Sequence, residues 1–206
     1  MASTKVDFKR ELRELYSATK SATFVDVPEL RFAMVDGHGD PNVAPEYVEA
    51  VQALYSVAYT ARFALKRTPG GLDYGVMPLE GLWWAEDMAA FTTGDKSSWD
   101  WTMMIMQPAQ VTPEVFADAR ATAARKKSLP AIERLRLEPL TEGRAAQVLH
   151  VGPYAAEGPL IQSLHAFIAD HGCEPVGEHH EIYLNDPSRT APEKLRTIIR
   201  QPVSQG

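Results

Sequence analysis

The sequence lacks the features that mark secreted and membrane proteins. It holds one cysteine, Cys173, which excludes an internal disulfide and is typical of a reducing compartment. No run approaches the ~18 consecutive apolar residues of a membrane span. Met1 is followed by a polar, charged segment and not by the apolar core of a secretory signal. We therefore expect a cytoplasmic protein without a membrane partner.

Motifs for nucleic acids, metals and cofactors are also missing. The 206 residues carry 21 Lys and Arg against 27 Asp and Glu, and the basic run at 125–127 closes a predicted helix, where it complements the helix dipole. Neither Cys-x-x-Cys nor His-Glu-x-x-His occurs, and the neighbouring His179 and His180 point apart on a strand. The Gly-His-Gly-Asp turn at 37–40 has too few glycines for a dinucleotide loop. We expect no nucleic acid, metal or cofactor.

Hydrophobic residues make up 45% of the chain, which is enough for a sizeable core. Residues 1–22 predict a charged arm with a short helix through Phe8, Leu12 and Leu15. Apolar spacing, Pro45 and Thr112 as helix-start residues, and Gly172 as a stop define the elements that follow. We predict a strand from 23 to the turn at 37–40, a helix over 45–67, strands over 74–85 and 99–108, a helix over 112–127, a hairpin over 134–151, a helix from 157 to 172, and strands over 178–186 and 196–203.

The two halves of the chain share the same predicted order of elements, strand, helix, strand, strand. Aligning Glu80 with Glu181 brings matching elements into register, and both last strands run threonine, apolar stretch, Gln-Pro. This indicates an α+β fold of duplicated β-α-β-β modules with pseudo-twofold symmetry, in which two antiparallel sheets and their helix pairs enclose a central ligand cleft. We expect one domain over 23–203, with halves at about 23–108 and 134–203 and the helix 112–127 inserted between them.

Residues 150–203 hold a His-x-Gly-Pro-Tyr turn, a glutamate after it, and a Glu-Ile-Tyr strand with Asp-Pro behind it. Together these resemble the C-terminal half of GyrI-like proteins, which share the fold of gyrase inhibitors and of the effector domains of multidrug-responsive activators. PLEGLWW and DWTMMIMQP resemble the larger stand-alone branch of that family. The resemblance implies a pocket for planar aromatic or cationic compounds. It also implies similarity to hydrolases that open cyclopropane rings in DNA-alkylating natural products.

Two glutamates are the candidate catalytic residues. Strand alternation places Glu181 and Tyr183 on one face, and burial there would raise the pKa of the carboxyl group. Taken alone, Glu181 also fits a solvent-facing strand position, and Glu157 fits an ordinary helix start. The resemblance implies that Glu157 and Glu181 form an acid/base pair, with the two roles left open.

Six further residues are candidates for ligand contact. Glu80 is the pseudo-symmetric partner of Glu181, and Trp84 shares its strand face. Aromatic rings suit stacking and cation–π contact, and methionine adapts to varied ligands. The predicted ligand-binding set is Glu80, Trp84, Trp101, Met103, Tyr154 and Tyr183.

Three functions remain open from the sequence. The first is a binding protein for flat hydrophobic or cationic aromatic molecules. The second is a hydrolase that uses the same pocket for detoxification. The third is a module that acts on gyrase or a regulator. The sequence leaves the oligomeric state open.

Overall fold

The computed structural model describes residues 4–85 and 96–205, and contacts between Cα atoms divide the chain into two compact units. Each unit combines segments that are distant in sequence. Unit 1 comprises Met1–Glu11, Leu30–Leu79 and Trp84–Leu140. Unit 2 comprises Leu12–Glu29, Glu80–Trp83 and Thr141–Gly206.

The described residues form eleven strands and six α-helices. In order they are β1 (Thr4–Val6), α1 (Phe8–Glu11), α2 (Arg13–Tyr16), β2 (Thr23–Val27), β3 (Leu30–His38), α3 (Pro45–Arg67), β4 (Leu72–Tyr74), β5 (Leu79–Trp84), β6 (Asp100–Gln107), α4 (Pro113–Lys126), α5 (Ala131–Arg134), β7 (Arg136–Leu140), β8 (Gly143–Val151), α6 (Gly158–Asp170), β9 (Cys173–Pro175), β10 (His179–Tyr183) and β11 (Arg196–Gln205).

Unit 1 is organised around β3 and α3. Strand β3 pairs antiparallel with β6 on one side and β7 on the other, and β1 pairs in parallel with β4. Helix α3 starts at Pro45, whose missing N–H costs nothing in a first turn, and its inward face is rich in alanine. These small side chains let α3 pack closely on α4, whose N-cap Thr112 accepts a hydrogen bond from the Val115 N–H.

Trp101 fills the centre of unit 1. Its side chain is fully buried, its Nε1–H donates to the Gly39 carbonyl at 3.2 Å, and the Tyr47 ring meets its edge. A Cβ atom on Gly37 would lie 2.0 Å from the Trp101 ring. Position 37 therefore requires glycine, because the indole occupies the space of any side chain.

Unit 2 contains the strand order β2, β8, β11, β10, β5, with β9 also paired to β11. Pairing is antiparallel between β2 and β8, β8 and β11, and β11 and β10. Helix α6 covers one face of these strands. The core beneath it consists of Ala146, Val148, Leu164, Ile168, Cys173, Ile199 and Val203.

The structure confirms the α+β class, the antiparallel pairing and the three long helices predicted over 45–67, 112–127 and 157–172. Two strand predictions were wrong. The strand expected from residue 23 is two strands, broken at Pro28, which has no N–H for a sheet ladder: β2 pairs with β8, and β3 pairs with β6 and β7.

The hairpin expected over 134–151 does not form, because β7 pairs with β3 while β8 pairs with β2 and β11. The physical reason lies in the connection between the two strands. Glu142 buries its carboxylate against His180 and Arg200, and these contacts direct the chain into unit 2.

The duplication, its pseudo-twofold axis, the cleft and the domain boundaries stay predictions. The predicted polar loop between the strands at 74–85 and 99–108 lies largely outside the described residues. Over 4–85 and 96–205, no helix combines the length and the apolar character needed to cross a membrane.

Candidate functional site

Glu181 lies at the centre of a polar cluster on one face of β10. Its Oε2 accepts a hydrogen bond from the Tyr183 hydroxyl at 2.8 Å, and its Oε1 lies 3.2 Å from His179 Nε2. The three residues alternate along the strand, so all three side chains share a face. The side chains of His179 and Glu181 are only 10% and 15% exposed. The carboxylate is thus held by two neighbours in a partly buried position.

Aromatic rings border this carboxylate. The Trp83 Nε1–H donates to the Tyr183 hydroxyl oxygen at 3.1 Å, which places the indole on the Glu181 face. The Tyr154 ring meets the Tyr183 ring edge-on, with centroids 5.5 Å apart. Trp83 is buried, whereas Tyr154 is 36% exposed. The side of the cluster at Tyr154 therefore faces solvent.

The His-x-Gly-Pro-Tyr motif forms the turn that brings Tyr154 to this position. Gly152 has a φ of 143°, which only glycine adopts without strain, and its N–H donates to the Leu195 carbonyl. His150 Nε2 lies 3.2 Å from the Pro153 carbonyl oxygen. A 3₁₀ turn then leads from Tyr154 to Glu157, which is buried at the start of α6.

The opposite face of β10 carries a second, fully enclosed charge network. His180 Nε2 lies 3.0 Å from Glu80 Oε2, and its Nδ1 lies 2.9 Å from Glu142 Oε1. Arg200 Nη1 donates to Glu142 Oε2 at 3.0 Å. All four side chains are at most 5% exposed. Two acidic side chains are thus paired with a guanidinium and a histidine ring.

Helix α2 closes this network from above. The Tyr16 hydroxyl donates to Glu80 Oε1 at 2.7 Å, and Arg200 Nη2 donates to the Leu15 carbonyl at 2.6 Å. Gln147 joins them, since its Oε1 accepts from Arg200 and its amide donates to the Glu14 carbonyl. The network therefore fastens helix α2 to the strands of unit 2.

The pKa values of the network reflect these contacts. Burial alone would lower the pKa of His180, but Glu142 and Glu80 outweigh it and raise that pKa to about 9. Burial would raise the pKa of Glu142, but His180 and Arg200 lower it to about 2. Burial and the Glu80 carboxylate raise the pKa of Tyr16 well above its usual value. His180 is therefore an imidazolium and Glu142 a carboxylate at neutral pH.

The two faces of β10 differ in what they can do chemically. The His180 face is closed by protein groups. The Glu181 face presents a carboxylate beside aromatic rings, an arrangement that can hold a cation or accept a proton from water. Within 4–85 and 96–205, no group of three or more His, Cys, Asp or Glu side chains is placed to hold a metal ion.

Three of the residues predicted from sequence lie together: Glu181, Tyr183 and Tyr154. Glu157 follows Tyr154 at the next helix start. Glu80 lies with His180, on the other face of β10 from Glu181. Trp84, Trp101 and Met103 belong to unit 1, where Trp101 and Met103 are fully buried core residues.

Two neighbours of the Glu181 cluster, Trp83 and His179, were not predicted from the sequence. Alternation along β5 separates Trp83 from Glu80, and the alignment of Glu80 with Glu181 favoured Trp84 instead. The sequence could have predicted His179, because residues two apart on a strand lie on the same face, as His179, Glu181 and Tyr183 do on β10. No local sequence pattern predicted that Glu142 and Arg200 are buried. Charged residues are usually exposed, and their burial here depends on partners that are distant in sequence.

The sequence and the fold of this chain are similar to those of known proteins. The family model for the GyrI-like small molecule binding domain matches residues 21–204. A solved structure of an uncharacterized conserved protein from Listeria innocua is 39% identical, with a TM-score of 0.88 over 97% of this chain and 100% of the other. A hydrolase from Listeria innocua is 37% identical, with a TM-score of 0.85 over 97% of this chain and 100% of the other.

A more distant structure shares the fold alone. The EcmrR C-terminal domain is 12% identical, with a TM-score of 0.57 over 90% of this chain and 98% of that domain. No curated protein sequence matches the chain. The family match spans nearly the whole chain and includes the Glu181 cluster, and this protein therefore belongs to the GyrI-like small-molecule-binding domain family.

Proposed function

We propose that unit 2 binds flat, hydrophobic aromatic molecules on the Glu181 face of β10, and that it favours cationic ones. The observation that carries this proposal is that Tyr183, which donates a hydrogen bond to the Glu181 carboxylate, also contacts the Trp83 indole and the Tyr154 ring. The expected setting is the cytoplasm, where the buried Cys173 stays reduced.

The physical basis is the pairing of ring faces with a shielded negative charge. A cation over an aromatic ring gains about 0.5–2 kcal/mol, with more in desolvated positions. The Glu181 side chain is 15% exposed, so its attraction for a cation is screened less than that of a surface glutamate. A flat cation thus satisfies both the rings and the carboxylate.

Two neighbouring tryptophans test this placement. N-methylacridinium is a flat aromatic cation without hydrogen-bonding groups, and its dissociation constant is measured by equilibrium dialysis. We expect Trp83→Phe to weaken binding about ten-fold and Trp84→Phe to change it less than about two-fold, since alternation separates the two on β5. The reverse order would assign the site to the Trp84 face.

Hydrolysis is the second candidate function, favoured by the hydrogen bonds of Glu181. Both oxygens of that carboxylate have neighbours in His179 and Tyr183, which fixes its orientation as a general base requires. A hydrolase from Listeria innocua, 37% identical over 97% of this chain, supports the same candidate.

The proposed reaction opens a cyclopropane ring conjugated to a dienone. A water oxygen forms a bond to a ring carbon while Glu181 accepts the water proton. The carbon–carbon bond that breaks sends its electron pair through the dienone to the carbonyl oxygen. Glu157 or a tyrosine donates a proton to that oxygen, so the product is a phenol that has gained one water.

Mass spectrometry tests this reaction directly. Incubation of the protein with a spiro-cyclopropane dienone is expected to add the mass of one water to the compound. Glu181→Gln keeps the shape of the site and removes the base, so we expect it to bind the dienone without converting it. If the wild type binds the dienone and does not convert it, hydrolysis is ruled out and binding is the remaining function.

A further inference from the structure

Thr197 lies in the middle of the face that carries Glu181. In the antiparallel register it is opposite Tyr183 of β10 on one side and His150 of β8 on the other. Directly opposed residues point to the same side of a sheet. Ile199, two residues along β11, is opposite Glu181 and packs in the core beneath α6. Thr197 therefore points toward the same side as Glu181 and Tyr183.

Among the residues that the structure describes, the hydroxyl of Thr197 has no hydrogen-bond partner. The side chain is fully buried, and Oγ1 contacts no donor or acceptor among the residues that the structure describes. A buried threonine in a strand ordinarily satisfies its hydroxyl, because an unpaired polar group in the interior costs stability. Thr102 of β6 shows the ordinary case, since its Oγ1 donates to Asp36 Oδ1 at 2.6 Å.

A short exposed segment lies beside the neighbours of Thr197. Residues 153–156 follow β8 and are exposed to solvent. The Pro153 carbonyl oxygen lies 3.2 Å from His150 Nε2, and the Tyr154 ring packs edge-on against the Tyr183 ring. Since His150 and Tyr183 are the residues opposite Thr197 on the two adjacent strands, this segment contacts both cross-strand neighbours of Thr197.

We propose that Thr197 is a ligand-binding residue, whose hydroxyl donates a hydrogen bond to a carbonyl or hydroxyl oxygen of the bound molecule. The inference rests on the proposed function, because it places that oxygen beside the rings and the carboxylate of the same face. The ligand reaches Oγ1 when residues 153–156 move away from β11. The hydroxyl then exchanges an unpaired buried state for a hydrogen bond, which gives carbonyl-bearing aromatics an advantage over plain ones.

A pair of probes with one shape tests this selectivity. N-methylacridone and N-methylacridinium share one three-ring system, and only N-methylacridone carries a carbonyl oxygen on it. The dissociation constants of both probes are measured by equilibrium dialysis. The ratio of the two constants isolates the hydrogen bond from effects of segment movement. We expect Thr197→Val to weaken N-methylacridone relative to N-methylacridinium about five-fold, and Thr197→Ser to retain most of the wild-type ratio.

Thermal unfolding without ligand supplies an independent readout. Replacing an unpaired hydroxyl by a methyl group should leave the unfolding temperature of Thr197→Val equal to or above that of the wild type. The matched control Thr102→Val loses a hydrogen bond to Asp36 and should unfold at a lower temperature.

Three results would overturn the inference in distinguishable ways. A Thr197→Val protein that unfolds as early as Thr102→Val would make the hydroxyl a structural group. An unchanged ratio with both probes bound would remove Thr197 from the ligand site and leave the proposed function intact. If neither probe binds the wild type, the proposed function fails and the inference fails with it.

Discussion

His180 and Glu181 are neighbours in sequence, and strand alternation gives them opposite surroundings. His180 is enclosed between Glu80 and Glu142, while Glu181 contacts Tyr183 and lies beside the aromatic rings. One dipeptide thus contributes both to the charge network that stabilises unit 2 and to the face proposed for binding. Substitutions at the two positions should therefore separate stability from function.

Glu142→Gln tests the structural half of this division. The glutamate neutralises both His180 and Arg200, so its loss leaves two buried cations with one remaining carboxylate. Breaking a buried ion pair on one side costs about 3–5 kcal/mol, and we expect a loss of that order in the free energy of unfolding. Urea denaturation measures it.

The exposed Glu174 on β9 gives the matched control, since Glu174→Gln should change the free energy of unfolding by less than about 0.5 kcal/mol. Equal stability of the two variants would show that the buried network contributes little.

Sequence patterns predicted which side chains share a strand face, whereas they did not predict which of those side chains are buried. The shared face of Glu181 and Tyr183 followed from a two-residue period, which a strand always has. The choice between Trp83 and Trp84 needed the partner of β5, which the sequence does not reveal. The sequence alone favours an exposed position for Arg200. The side chain is buried because the fold places Glu142, Gln147 and the Leu15 carbonyl within hydrogen-bond distance of it.

At the scale of elements, the turn from β8 to α6 connects the sheet with the candidate site. Gly152 holds a φ of 143°, and a Cβ atom there would lie 3.3 Å from His150 Nε2. This turn sets the position of Tyr154 against Tyr183. Its backbone conformation therefore affects both stability and ligand contact.

Gly152→Ala should destabilise the protein by about 1–3 kcal/mol, because alanine is strained at this φ and crowds His150. We also expect weaker binding of N-methylacridinium, since the Tyr154 ring shifts with the turn. Thermal unfolding and equilibrium dialysis measure the two effects.

Gly158, at the start of α6, is the control for this change. A Cβ atom there meets nothing within 4 Å, so Gly158→Ala should be neutral or slightly stabilising. A Gly152→Ala protein that behaves like Gly158→Ala would contradict the role given to the turn.

Helices were predictable as elements, whereas strand partners were not. The helix over 45–67 follows from Pro45 and regular apolar spacing, both of which are local. The partner of β2 is β8, more than a hundred residues away, and no turn connects the two. The Thr-Glu-Gly-Arg segment at 141–144 predicted a hairpin turn, and Gly143 does adopt a turn conformation with a φ of 69°. The strands on its two sides nevertheless pair with different partners, and Glu142 is buried against His180.

For the whole molecule, the network predicts how stability depends on pH. The folded pKa of His180, about 9, lies above its usual 6.5, so its contribution is complete below pH 6.5 and is lost as pH rises through 9. The folded pKa of Glu142, about 2, lies below its usual 4.5, so its contribution is complete above pH 4.5 and is lost as pH falls through 2.

We therefore expect the free energy of unfolding to be highest between pH 4.5 and 6.5 and to fall on both sides. Urea denaturation across pH measures this profile. Glu142→Gln should flatten both slopes, since it removes one partner of His180 and the carboxylate itself. A wild-type stability that rises from pH 6.5 to 9 would contradict the assigned charges.

If the Glu181 carboxylate and its rings receive a flat aromatic cation, removing the negative charge must weaken a cation far more than a neutral molecule of similar shape. The dissociation constants of N-methylacridinium and N-methylacridone are measured for the wild type and for Glu181→Gln, with the exposed Glu178→Gln as control. We expect Glu181→Gln to weaken the cation about ten-fold and the neutral ketone less than about two-fold, with no change in the control. Equal losses for both probes, or no loss for either, would rule out Glu181 as the group that binds the cation.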